Sequence, residues 1–232
     1  MQGSCSAWKS PGGDAGSADR FGQWRRPLPA PTMARHREIA MKAALFALTV
    51  ALVATPAWAL DDKAICQAPS GSGYAWNGQV DACTRLLNGW SMTTEDRATT
   101  HFNRARAYYD GEQFSAAITD YSEAIRLDPG RATAWYSRGA VYSAMKIYTQ
   151  AIANYDEAIR LNPSYANAYL NRGAAYAMGS DNLEKAIEDF SEAIRLAPDN
   201  AQAWRNRSIA YSQSGDAERS AADAAEAARR GS

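Results

Sequence analysis

Residues 117–129 read AITDYSEAIRLDP, and nearly the same letters return as AIANYDEAIRLNP at residues 151–163 and AIEDFSEAIRLAP at residues 186–198. The prolines that close the three copies, Pro129, Pro163 and Pro198, lie 34 and then 35 residues apart. Each copy has the apolar spacing of a helix. A repeat of this length indicates stacked supersecondary units, each of which buries its apolar surface against its neighbours.

A second helical pattern precedes each copy. It reads NRARAYYDGEQF from Asn103, SRGAVYSAMKIY from Ser137 and NRGAAYAMGSDNL from Asn171, and a fourth pattern, AWRNRSIAYSQSGD from Ala203, is followed by one last helix. Asp110-Gly111 predicts the turn between the first two helices. Proline lacks an amide hydrogen and disfavours a helical residue before it, so each proline predicts the end of a second helix.

These residues resemble the tetratricopeptide repeat family, whose 34-residue unit has Trp, a small residue and Tyr on its first helix and Ala, an aromatic, Ala and Pro on its second. The Trp position holds His101, Trp135, Tyr169 and Trp204. The small position holds Ala105, Gly139, Gly173 and Ser208, and the Tyr position holds Tyr108, Tyr142, Tyr176 and Tyr211. The resemblance covers residues 95–232. It implies an all-α, right-handed solenoid of antiparallel helix hairpins, with four repeats at 97–130, 131–164, 165–199 and 200–232.

Both ends of such an array need a cap, because each hairpin leaves apolar surface exposed until a neighbour covers it. The final helix, AERSAADAAEAARRGS, has no bulky apolar residue and suits an outer face. At the other end, residues 60–96 are predicted to form a cap whose helix places Val80, Cys83, Leu86 and Leu87 over the first repeat.

The segment before the cap predicts export. Residues 41–59 read MKAALFALTVALVATPAWA, with an apolar stretch at 43–54 and the small-x-small ending Ala57-Trp58-Ala59, which is typical of a secretory signal peptide. A membrane anchor is disfavoured because the stretch is shorter than the roughly 20 residues that cross a bilayer. Residues 1–40 are rich in Gly, Ser, Pro and Arg and are expected to be a disordered extension upstream of a true start at Met33 or Met41. The mature chain is expected to be periplasmic or secreted, without stable membrane insertion.

Removal of residues 1–59 takes away seven of the 25 basic and three of the 25 acidic residues, which leaves a net charge near −4. This slight acidity argues against nucleic acid as a partner, because nucleic acid selects clustered Lys and Arg. Cys5 is lost with the extension, whereas Cys66 and Cys83 remain. In an oxidising compartment they are expected to form a disulfide, with two free buried thiols as the alternative.

The repeats offer little for catalysis. His101 occupies a packing position, no pair of ligands has metal spacing, and no glycine-rich phosphate loop occurs. We therefore expect no enzyme, no cofactor and no metal. The acids Glu123, Glu157 and Glu192 precede Arg126, Arg160 and Arg195 by three residues, which predicts exposed helical ion pairs. A recurring arginine (Arg104, Arg138, Arg172, Arg207) is expected to pair with helix acids such as Asp120 and Asp189.

The resemblance implies that the first helices line a concave groove for a protein or peptide partner. An asparagine side chain can donate to and accept from a peptide backbone, so Asn103, Asn171 and Asn206, with Ser137 as the exception, could hold an extended strand. The alternative is that these asparagines merely tolerate solvent. The predicted groove residues are Phe102, Asn103, Arg106, Tyr109, Tyr136, Ser137, Asn167, Leu170, Asn171 and Asn206. The alternative function is a structural protein of the cell envelope that assembles with itself.

Overall fold

A computed structural model describes residues 57–89, 91–179 and 182–231. Within these residues the chain forms ten α-helices and no strand, which confirms the all-α prediction. The helices are α1 Ala57–Gln67, α2 Trp76–Leu87, α3 Thr94–Asp110, α4 Phe114–Leu127, α5 Ala132–Ala144, α6 Tyr148–Leu161, α7 Ala166–Gly179, α8 Leu183–Leu196, α9 Ala201–Gln213 and α10 Ala217–Arg230. As predicted, α4, α6 and α8 each end two residues before a proline.

Residues 1–56 lie outside the described residues. They comprise the predicted extension at 1–40 and all but the last three residues of the predicted signal peptide at 41–59. Helix α1 begins at Ala57 and therefore runs through the expected cleavage position after Ala59. In the described part of the chain, every helix is too short or too polar to cross a membrane.

Helices α3 to α10 form four antiparallel hairpins, each of which packs against the next hairpin along the chain. The second helix of one hairpin packs against the first helix of the following one, and consecutive first helices also touch one another. This arrangement is the predicted solenoid. Its contacts are confined to neighbours, so its stability is close to a sum of hairpin terms and interface terms.

Small residues lie where the two helices of a hairpin cross, and the aromatic residues pack against them. A methyl group added to Gly139 would lie 2.7 Å from the ring of Tyr155, and one added to Gly173 would lie 2.8 Å from the ring of Phe190. In the last hairpin the Ser208 hydroxyl instead donates to the carbonyl of Ser220 at 2.8 Å. The small position was predicted from the repeat pattern, and close packing is the reason for it.

The first hairpin turns where Asp110-Gly111 predicted, but the left-handed residue is Glu112, with φ 57°. Lys146 and Gly215 take the equivalent places in later hairpins, with φ 61° and 86°. Gly111 itself has φ −90°. It is needed for space, because a methyl group there would lie 2.3 Å from the indole of Trp76 in α2.

Helices α1 and α2 form a fifth hairpin, which continues the solenoid at its N-terminal end. Helix α1 touches α3 in the way that α3 touches α5. The predicted disulfide is present, since the sulfur atoms of Cys66 and Cys83 are 2.06 Å apart and both residues are buried. The buried face of α2 is Gln79, Ala82 and Cys83. Of the predicted face, Cys83 is buried and Leu86 packs against the cluster of Cys66, Ala82 and Cys83, whereas Val80 and Leu87 are only half-buried.

Candidate functional site

Three adjoining depressions run along the first helices and form one groove. The depression nearest the N-terminal hairpin has a volume of about 330 Å³, the middle one about 320 Å³ and the last about 140 Å³. Tyr109, Ala140 and Asn171 line both the first and the second depression, and Ala174 and Met178 line both the second and the third. The shared residues make the groove continuous from α3 to α9.

The structure brings together six of the ten predicted groove residues. Arg106, Tyr109, Tyr136, Ser137 and Asn171 line the first depression, and Asn206 lines the third.

The other four predicted residues lie outside the three depressions. Asn103 is only 7% exposed and Leu170 only 9%, so both belong to the packed interior. Phe102 packs edge-on against Tyr121 with ring centroids 5.5 Å apart. Asn167 is exposed on α7.

Apolar and small side chains that sequence reasoning did not single out line the rest of the groove. Met178 is 70% exposed and Ile209 51%, and both face the third depression. Small residues, including Ala140, Ala144, Ala174 and Ala177, line the groove between them and Tyr109, together with the rings of Tyr155 and Phe190. Extending the position-by-position comparison of the repeats toward the ends of the first helices would have found these residues.

A hydrogen-bonded cluster of tyrosine and asparagine side chains lies at the centre of the groove. Asn171 donates from Nδ2 to the hydroxyl oxygen of Tyr136 at 2.9 Å, and the ring of Tyr136 lies 4.9 Å from that of Tyr165 and 5.8 Å from that of Tyr155. Burial raises the pKa of Tyr136 above its ordinary value and that of Tyr155 to about 12. These phenols therefore stay neutral and keep their protons at physiological pH.

The loop between α1 and α2 closes the N-terminal end of the groove. Arg106 donates from Nη2 to the carbonyl of Ala68, and the Ser70 hydroxyl donates to Oδ2 of Asp110 at 2.6 Å. Ser70 also lines the first depression. The Nε of Arg106 is buried without a hydrogen-bond partner in the described structure. Because this nitrogen is buried, a bound molecule could reach it only if the side chain moved.

The predicted pairing of the recurring arginine with an acid of the second helix is confirmed in three of the four repeats. Arg104 binds Asp120, Arg172 binds Asp189 and Arg207 binds Asp223, each through Nε and Nη2 to both carboxylate oxygens. In the remaining repeat, Arg138 has Asn154 as its acceptor, bound through Nε. These contacts join the two helices of a hairpin and lie outside the groove.

His101 belongs to this structural set. Its Nδ1 lies 2.8 Å from Oδ1 of Asp120, and its side chain is 14% exposed. Burial alone would raise the pKa of Asp120, but hydrogen bonds from Arg104 and His101 outweigh it and leave that pKa below its ordinary value. His101 thus packs in the Trp position, as expected, and also completes a hydrogen-bond network.

The predicted exposed ion pairs are present, with Arg126, Arg160 and Arg195 each bound to the glutamate three residues earlier. Among the described residues, no group of three His, Cys, Asp or Glu side chains is placed to hold a metal ion. The groove offers apolar contact and hydrogen bonds to a bound molecule.

Comparison with solved structures identifies the same architecture elsewhere. The structure "MamA 41-end from Desulfovibrio magneticus RS-1" is similar with a TM-score of 0.65 and 21% identity, over 76% of this chain and 97% of that one. The structure of YrrB, described as a TPR protein with an unusual peptide-binding site, has a TM-score of 0.56 and 18% identity, over 67% of this chain and 77% of that one. At these identities the likeness shows the fold alone.

A third structure is the first TPR of Spaghetti (RPAP3) bound to the HSP90 peptide SRMEEVD, with a TM-score of 0.51 and 25% identity, over 52% of this chain and 95% of that one. A comparison with curated protein sequences finds no significant match. Sequence profiles described as TPR repeat match residues 95–146 and 147–179, and one described as tetratricopeptide repeat matches residues 174–232. Since these matches cover more than half of the chain and agree with its fold, the chain belongs to the tetratricopeptide repeat family.

Proposed function

We propose that this chain is a protein-binding scaffold that holds a peptide segment of its partner in the groove along α3, α5, α7 and α9. The observation that carries the proposal is the continuous groove, which is lined by several alanines and by the exposed side chains of Tyr109, Met178 and Ile209. Solved structures of this fold include one described as having a peptide-binding site and one with a bound peptide. The proposed role is binding, without catalysis.

The composition of the groove favours a segment rich in apolar side chains. Met178 and Ile209 offer exposed apolar surface beside alanines, which leave room for side chains of a ligand. The tyrosine and Asn171 side chains at the centre suit the carbonyl oxygens of a peptide backbone. Because the loop at Ala68 and Ser70 blocks the N-terminal end, a ligand that fills the first depression has to end or turn there.

The proposal is tested with peptides selected from a random display library against residues 60–232 in oxidised form. Ala174 lines two depressions, so Ala174→Arg is expected to weaken the selected peptides at least about tenfold, or about 1.4 kcal/mol. Ala222 is exposed on α10, away from the groove-lining helices, and Ala222→Arg is the matched control. If the peptides bind Ala174→Arg, Ala222→Arg and the parent chain with equal affinity, the groove is not their binding site.

Asn171→Ala and Asn206→Ala test whether the asparagines read the backbone of the peptide. Each is expected to weaken the same peptides by about 1 kcal/mol. Unchanged affinity would mean that the asparagines serve the packing of the groove alone. Light scattering on the peptide-free chain tests the alternative function, because a self-assembling envelope protein would grow in mass with concentration.

The proposal places this scaffold outside the cytoplasm, in the periplasm or the medium. It is supported by the signal-like sequence at 41–59 and by a disulfide, a bond that persists in oxidising compartments. Mass spectrometry of the protein from fractionated cells is expected to find an N-terminus at Leu60 outside the cytoplasm. An intact chain in the cytoplasm would contradict export while leaving the groove untouched.

A further inference from the structure

The recurring arginine lies on the first helix of its hairpin and binds two second helices, that of its own hairpin and that of the preceding one. Nε and Nη2 bind the second helix of the same hairpin, as they do between Arg207 and Asp223. Nη1 binds the second helix of the preceding hairpin, where its acceptor is Thr84 for Arg104, Ser122 for Arg138, Asp156 for Arg172 and Ser191 for Arg207. Four copies of one arrangement within one chain allow each to be judged against the others.

The second repeat differs from the others in the position of its carboxylate. The first repeat has Asp120 and Ser122, whereas the second has Asn154 and Asp156 at the corresponding places. The carboxylate has moved two residues along α6, so it now serves the next hairpin through Arg172 Nη1. Arg172 consequently binds two carboxylates and Arg138 binds none in the described structure.

The Arg138 guanidinium is therefore a partly buried positive charge without a carboxylate partner among the described residues. It is held by the Oδ1 of Asn154 at 2.8 Å and by the Ser122 hydroxyl at 2.9 Å, and its centre lies 4.9 Å from the ring of Trp135. Burial lowers its pKa, whereas the pKa values of Arg104, Arg172 and Arg207 are raised. A desolvated charge without a counterion is costly, and an oxyanion that reaches it recovers part of that cost.

Geometry leaves one nitrogen of Arg138 for such an anion. Its Nη2, which in the other three copies donates to a carboxylate, has no hydrogen-bond partner among the described residues. It is also not among the buried atoms that lack a partner, so solvent reaches it. The neighbouring polar groups are already occupied, since Ser122 donates to the Ile118 carbonyl and Asn154 to the Gln150 carbonyl.

We propose that Arg138, fixed by Ser122, Trp135 and Asn154, binds an oxyanion that comes from outside its own hairpin. The ligand takes the place of the carboxylate that the other three repeats carry internally, and a carboxylate is the group whose geometry the guanidinium fits. The source is either a free carboxylate ion or an Asp or Glu side chain of a second copy of this chain. The site lies outside the groove residues and does not depend on the proposed function.

The test follows the Nε–Hε NMR signals of the four arginines while sodium acetate replaces sodium chloride at constant ionic strength. The Arg138 signal is expected to move and saturate, whereas the signals of Arg104, Arg172 and Arg207 stay in place. Asn154→Asp restores the internal carboxylate and is expected to weaken the acetate response at least about tenfold. The proposal is overturned if Arg138 moves no more than the other three, or if Asn154→Asp responds like the parent chain.

The same variant distinguishes the two sources. Asn154→Asp introduces the residue type that three other repeats carry, so it is expected to fold and to melt at a higher temperature than the parent. Sedimentation across a dilution series then compares the two chains at low salt. Association of the parent chain that disappears in Asn154→Asp assigns the carboxylate to a second copy. If both chains are monomeric and only the parent responds to acetate, the carboxylate is a free ion.

Discussion

The two terminal hairpins solve the same packing problem by different means. Each lacks the large aromatic side chain that fills the space between helices in the internal hairpins, such as Tyr155 or Phe190. At the N-terminal end the disulfide of Cys66 and Cys83 occupies the interior. At the C-terminal end the buried residues of α10 are only Asp223 and Ala227 within its described length, and polar contacts hold the helix.

This difference shows that an aromatic core is one of several ways to close such a hairpin. A covalent bond acts largely by restricting the unfolded chain, and it acts whatever the pH or the salt concentration. Ion pairs and hydrogen bonds act in the folded state and weaken when either partner is lost. We therefore expect the N-terminal hairpin to be the sturdier end while it is oxidised, and the C-terminal hairpin to open first.

Loss of the disulfide should reverse that order and has the largest expected effect. Replacing Cys66 and Cys83 together by serine opens a loop of 17 residues, which is expected to lower the free energy of unfolding by about 3 kcal/mol. Chemical denaturation measures the loss, and hydrogen exchange should show it in α1 and α2. Reducing agent should affect the parent chain and leave the double variant unchanged. Faster exchange spread evenly over all helices would contradict this comparison.

Loss of Asp223 should make the weaker end weaker still. Asp223→Asn leaves Arg207 without its carboxylate, and both side chains are less than a fifth exposed. We expect a loss of about 2 kcal/mol, concentrated in α10. Asn154→Ala is the matched control, because it removes a neutral acceptor from the equivalent arginine and should cost about 1 kcal/mol. An unchanged free energy of unfolding in Asp223→Asn would show that the charge of Asp223 contributes nothing.

The pH dependence of the N-terminal hairpin is the smallest effect. Hydrogen bonds from Arg85 hold the pKa of Asp62 below its ordinary value. The contribution of this pair is therefore complete above about pH 4 and is lost as the pH falls through the lowered pKa. Because the Arg85 side chain is 52% exposed, water screens the pair, and we expect its effect on the free energy of unfolding to be the smallest of the three. The difference in the free energy of unfolding between the parent and Asp62→Asn should shrink steadily as the pH falls below about 4, and a difference that does not change with pH in this range would exclude this origin.

The repeat pattern predicted the helices because identical slots impose identical packing. Gly139 and Gly173 could be assigned to helix crossings from the sequence, since any larger residue there meets Tyr155 or Phe190. The hairpin of α1 and α2 could be predicted only as a cap. It carries Cys83 where the first three repeats carry an aromatic residue, and its long connecting loop removes the 34-residue spacing by which a repeat is recognised.

The groove was harder to predict, because neighbouring positions of a helix face different surroundings. Asn103 and Asn171 occupy the same slot, yet Asn103 is buried and Asn171 lines the groove beside Tyr136. Arg106 was predicted to face a ligand, and it lines the first depression while its Nη2 donates to the Ala68 carbonyl. Such contacts depend on the loop between α1 and α2, whose path no repeat pattern specifies.

Contacts confined to neighbouring hairpins have a mechanical consequence. When the described region is pulled by its two ends, the alanine-rich α10 is expected to peel away first, and the remaining hairpins to follow one at a time toward the N-terminus. The last hairpin cannot be extended fully, because the bond between Cys66 and Cys83 shields the residues between them from the load. Reduction of that bond should lengthen the stretched chain by a fixed increment.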